Sequence, residues 1–123
     1  MNQFIKPSRL KKGDTIAIVS PSWGGLSIFP HVYENGVRCL REVFGLKVKE
    51  YPTARMKDED LYANPQIRAK DINEAFADGE VQAIFASIGG EDSVRILPYL
   101  DLDLIKKHPK ILMGYSDTST LLT

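Results

Sequence analysis

Thr15-Ile16-Ala17-Ile18-Val19 is the stretch on which the fold turns. It is an unbroken apolar run rich in β-branched residues, bounded by Gly13-Asp14 before it and Ser20-Pro21 after it. Five residues are too few for a stable helix, and a strand with one wet face would alternate apolar with polar residues. An unbroken run instead marks a strand buried on both faces. Val81 to Ile88 repeats the pattern, as does Lys110-Ile111-Leu112-Met113 before Gly114. Lys47 to Tyr51 alternates apolar and charged residues and reads as one more strand.

Helical signals separate these runs. From Pro30 to Phe44 the residues Tyr33, Val37, Leu40 and Phe44 recur at helical spacing, and Gly45 stands where a glycine stop belongs. Cys39 falls beside this stripe and is expected to be a packed thiol. Pro52 to Tyr62 is polar and charged, including Lys57-Asp58-Glu59-Asp60, and is expected to be a solvated loop. Asn64-Pro65 opens the next helix, which runs through Ile72 and Phe76 to Gly79. Glu91 to Leu100 is helical with a break near Pro98, and Asp101 to Lys107 supplies one or two further turns. Strands alternating with helices require crossover connections, hence a mainly parallel sheet. The expected fold is α/β, doubly wound, with helices on both faces. In such sheets ligands gather at the carboxyl ends of the strands. Three segments therefore belong together: Ser20 to Gly25, Gly89 to Ser93, and Gly114 to Asp117.

Composition narrows the function. The 123 residues carry 16 Lys+Arg against 16 Asp+Glu, so net charge is zero, and 43% are hydrophobic. That suits one globular domain with a core of its own. A neutral chain lacks the basic footprint of nonspecific nucleic-acid binding, and the short cluster Lys6 to Lys12 does not supply one. No apolar run approaches the roughly 20 residues of a membrane span. The amino terminus lacks the order of a secretory signal, and a single cysteine fits a reducing compartment. A cytoplasmic location is the expectation. The apolar ending Leu121-Leu122-Thr123 suggests a piece of a longer polypeptide.

Gly114-Tyr115-Ser116-Asp117 follows a strand and precedes a helix-prone stretch. A serine on such a turn exposes its hydroxyl, and the following N–H can stabilise an oxyanion. The final glycine of Gly-x-Ser-x-Gly is missing, and on pattern alone Ser116 or Asp117 more often merely caps a helix. Ile88-Gly89-Gly90-Glu91-Asp92-Ser93 could provide a second oxyanion donor or an anion cradle, or be only a tight turn. It matches neither a dinucleotide fingerprint nor a Walker loop. Trp23, on the Gly24-Gly25 loop, could wall a pocket or cover a core edge. The only histidines, His31 and His108, read as surface or capping residues. No spacing suits a metal, and no cofactor is expected. The chain thus offers a nucleophile without a convincing general base.

Taken in order, Ser20-Pro21-Ser22, Gly89-Gly90, Leu97-Pro98-Tyr99-Leu100-Asp101, Pro109-Lys110 and Ile111-Leu112-Met113-Gly114-Tyr115-Ser116-Asp117-Thr118 resemble the LD-carboxypeptidase family of serine peptidases. The resemblance covers essentially all of the chain and corresponds to the family's N-terminal, nucleophile-bearing domain, of flavodoxin-like or class I amidotransferase-like form. Members are usually about two to three times this length. They are cytoplasmic hydrolases with a Ser-Glu-His triad. By resemblance Ser116 is the nucleophile, the N–H groups of Asp117 and Gly90 form the oxyanion hole, and Gly89, Glu91 and Trp23 border the substrate. Glu and His would come from a C-terminal domain outside residues 1–123, which leaves this stretch alone inactive. The implied substrates are murein peptides, cut between an L- and a D-residue, or microcin C-type peptidyl nucleotides. Glu91-Asp92-Ser93, where murein-recycling members typically carry Tyr-Gly, looks more like the microcin self-immunity branch. The surface awaiting the second domain favours self-association as a homodimer. A different class of reading is a noncatalytic flavodoxin-like module that holds an anionic small molecule on its glycine turns.

Overall fold

A computed structural model describes residues 3–123 of the chain. Strands β1 (Thr15–Val19), β2 (Lys47–Glu50), β3 (Val81–Ala86) and β4 (Ile111–Met113) form one parallel sheet in the order β2-β1-β3-β4. Between and after them lie helices α1 (Gly25–Ile28), α2 (Pro30–Glu42), α3 (Asp58–Ala63), α4 (Pro65–Ala77), α5 (Leu102–Lys107) and α6 (Ser119–Leu122). Three 3-10 segments, Pro52–Arg55, Ser93–Tyr99 and Ser116–Thr118, complete the elements.

The opening run is buried on both faces. Ile18 packs with Tyr33 and Val37 of α2, whereas Ala17 and Val19 pack with Ala69, Ile72, Ala75 and Phe76 of α4. Because side chains alternate along a strand, each face of β1 meets a different helix, so only apolar residues stand at the buried positions Ile16 to Val19. The chain leaves β1 toward β2 on one side, while β3 lies on the other. Strand order therefore reverses between β1 and β3, and the carboxyl ends of these two strands form the crevice of the fold.

Several expectations are corrected. Pro52 to Tyr62 is ordered, with a 3-10 turn and α3, and it buries Thr53, Ala54 and Leu61. Asp58, Glu59 and Asp60 occupy the first turn of α3, where carboxylates favour the helix's positive end; Glu59 and Asp60 face water, while Asp58 Oδ1 accepts from the Gly24 N–H at 2.6 Å. Phe44 is exposed because α2 ends at Glu42, and Gly45 at φ 65° swings Leu46 into the core in its place. Cys39 is exposed, not packed. It lies two residues beyond buried Val37, about 200° around the helix. Asn64 does not cap α4 with its side chain; its Nδ2 donates to the Asp60 carbonyl at 2.8 Å and closes α3. Among the described residues no helix is long and apolar enough to cross a membrane.

Candidate active site

Past β4 the backbone turns sharply into the 3-10 segment Ser116–Thr118 and then α6. Ser116 has φ 58°, the one non-glycine residue with a positive φ among those described. Such a conformation costs about 1–3 kcal/mol and persists only where its surroundings hold it. The turn is tight: a Cβ at Gly114 would lie 2.5 Å from Cγ2 of buried Thr118. Ser116 itself is exposed, and its hydroxyl makes no hydrogen bond among the described residues. Opposite it stands bare backbone. A Cβ at Gly89 would come within 3.1 Å of Ser116 Cβ and 3.3 Å of its Oγ.

Two other turns are bonded to this one. Asp117 Oδ2 accepts a hydrogen bond from Ser22 Oγ (2.6 Å) and from the Ser93 N–H (2.8 Å). The Ser93 hydroxyl donates to the Asp117 carbonyl at 2.7 Å. Burial pushes the Asp117 carboxyl up, but the hydrogen bonds from Ser22 and Ser93 and the nearby Arg68 charge outweigh it, holding the group below the usual carboxylate range. The Trp23 N–H donates to the Gly89 carbonyl at 3.1 Å. Gly90 leaves the space that Ser22 and Trp23 need, since a Cβ there would lie 2.2 Å from Ser22 Oγ and 2.8 Å from the indole.

Ser116, Asp117, Gly89, Gly90 and Trp23 thus come together, with Trp23 40% exposed and Glu91 exposed on the turn. Neither Ser116 nor Asp117 caps its helix with its side chain. His31 and His108 are exposed, and His108 closes α5 at the amino end of β4, away from Ser116. No cluster of metal-ligating side chains occurs among the described residues. A cavity of about 390 Å³ opens between α2 and the ends of β3 and β4; Gly89, Gly114 and Thr118 line it beside Phe29, Val32 and Phe85.

Sequence reasoning missed Arg68. Its side chain is fully buried, donating to the Pro21 carbonyl and, in a fork, to both oxygens of Asp92, each at 3.0 Å. The available signal was an arginine in register with Ile72 and Ala75 on the buried side of α4.

Residues 16–123 match the family model described as the LD-carboxypeptidase N-terminal domain. The chain belongs to the LD-carboxypeptidase family. Among curated relatives, it is 40% identical over 114 residues to the putative carboxypeptidase YocD of Bacillus subtilis, spanning 93% of this chain and 35% of that protein. It is 36% identical over 118 residues to the probable murein peptide carboxypeptidase of the same organism, spanning 96% and 36%. Among solved structures, microcin C7 self immunity protein MccF in complex with aspartyl sulfamoyl adenosine superimposes with a TM-score of 0.85 at 31% identity, covering 96% of this chain and 35% of that one. The chain spans about a third of the length of the LD-carboxypeptidase relatives it matches. That likeness agrees with the α/β, parallel-sheet reading of the sequence.

Proposed function

We propose that residues 1–123 form the nucleophile-bearing domain of an LD-carboxypeptidase-like serine peptidase, with Ser116 forming the acyl-enzyme. The observation that carries this reading is the left-handed backbone of exposed Ser116 on a strand-to-helix turn, facing bare glycine backbone. Ser116 Oγ attacks the amide carbonyl, its proton passing to a base and then to the departing amine. The N–H groups of Asp117 and Gly90 hold the oxyanion, and water releases the acyl group. The base is a histidine oriented by a glutamate, both from the C-terminal domain of the full-length polypeptide, so the 123-residue chain alone is inactive. The substrate is a murein peptide or a peptidyl nucleotide, bordered by Gly89, Glu91 and Trp23. Exposed Glu91 is free to meet it, whereas Asp92 is committed to Arg68. The acidic turn favours the microcin self-immunity branch, and the enzyme works in the cytoplasm.

The test uses the full-length polypeptide. It should hydrolyse an L,D-linked murein tetrapeptide or an aspartyl sulfamoyl nucleoside analogue, and a fluorophosphonate probe should label it at Ser116 as the oxygen displaces fluoride. Ser116→Ala should abolish both. Unchanged hydrolysis in that variant sinks the reading, and nucleotide binding by the chain without any labelling favours a noncatalytic module.

A further inference from the structure

We infer that Arg68 is a positioning residue for the oxyanion site, acting through Pro21 and Asp92 on the two turns that grip Asp117. The inference rests on the reading of Ser116 as nucleophile. Arg68 projects from α4, and its guanidinium bonds two segments far apart in sequence: the Pro21 carbonyl after β1 and the Asp92 carboxylate after β3. The next residue in each segment is the one that reaches the nucleophile turn. Ser22 follows Pro21, Ser93 follows Asp92, and both donate to the same oxygen of Asp117. Each arm is two residues long. A shift of the guanidinium therefore passes directly to the N–H beside Ser116 and to the glycine turn that faces it.

Arg68 is a costly way to fill space. Its Nε is buried with no partner among the described residues, and a buried ion pair generally stabilises no better than apolar side chains of similar volume. What an apolar pair cannot supply is the planar fork, which fixes Asp92 in angle as well as distance. Asp92 needs that constraint because Arg95 also pulls on it, donating to Oδ2 at 3.0 Å from the exposed side. Nη1, which donates both to Asp92 and to the Pro21 carbonyl, then sets the spacing of the two turns.

The experiment compares Arg68→Lys, Arg68→Met and the double variant Arg68→Met/Asp92→Leu in the full-length polypeptide. Readouts are the rate of fluorophosphonate labelling, kcat and KM on the peptide, and the melting temperature. A positioning role predicts labelling and kcat lowered about 10- to 100-fold with KM within about threefold, even where the apolar double variant restores the melting temperature. Recovery of kcat together with stability in the double variant would show that Arg68 only fills the core, and would overturn the inference. Should the Arg68 variants fail to fold, Ser22→Ala removes the first arm's bond to Asp117 Oδ2, and Ser93→Ala removes the second arm's hydroxyl bond to the Asp117 carbonyl while its N–H bond stays. A kcat lowered in both supports the inference, and parent values in both overturn it. Ser116→Ala is the companion control: activity in it defeats the nucleophile reading, whereas a dead Ser116→Ala beside fully active Arg68 variants defeats only the positioning role.

Discussion

At the amino ends of the strands, the two residues with positive φ are glycines, Gly13 before β1 and Gly45 before β2, joined by a hydrogen bond from the Gly13 N–H to the Gly45 carbonyl. Charges there are paired or bonded locally: Lys49 pairs with Asp78, and partly buried Lys110 donates to the Ala75 and Asp78 carbonyls. At the carboxyl ends the positive φ belongs to a serine, and Ser20, Ser22, Thr53, Arg68, Ser93 and Thr118 are all buried at or beneath the turns. One end follows local rules, and the other violates them while binding the violations together with hydrogen bonds. Departures of that kind collect where geometry is needed for chemistry, because strain and buried charge persist only if something else holds them.

The contrast can be broken by substitution. Gly90→Ala should have the largest effect, a loss of about 1–3 kcal/mol in denaturant unfolding, because its methyl would overlap Ser22 Oγ and the indole of Trp23. Stability equal to the parent would mean that the turns are not interlocked as described. Smaller and opposite in sign are two exchanges of residue type. Gly45→Ala should lose about 1 kcal/mol through its φ of 65°, since the side chain it meets, Lys12, can move aside. Ser116→Gly should gain up to about 1 kcal/mol by relieving the same kind of strain while removing the hydroxyl. Equal destabilisation by both would erase the difference between the two ends.

The smallest effect concerns acid. Because the folded Asp117 carboxyl lies below its ordinary value, its contribution is fully present above about pH 4 and is lost as pH falls through the folded value. Unfolding free energy measured against pH should therefore fall more steeply for the parent than for Asp117→Asn across that acid range. Identical slopes would remove Asp117 from the list of groups that carry the tie.

Reading the chain without its fold succeeded where the signal is local. The strand at Thr15–Val19, the start of α4 at Pro65 and the turn carrying Ser116 follow from apolar runs, a proline at a first helical position and a strand-to-helix break. It failed at Pro52 to Tyr62, where charge on the outer side of α3 concealed Leu61 on the inner side. It failed at Cys39 because a residue near an apolar stripe in sequence can stand on the far side of the helix.

By itself, then, the order of residues determined the class of fold and nominated the serine, since hydrophobic period and turn chemistry act over a few neighbours. Only the tertiary structure decided which groups surround that serine. Asp117 meets Ser22 across 95 positions of chain and Ser93 across 24, and Arg68 meets Pro21 across 47. Those meetings depend on β3 lying beside β1 and β4 beside β3 in the sheet, and strand order is set by packing between distant segments, not by the periodicity of any one of them.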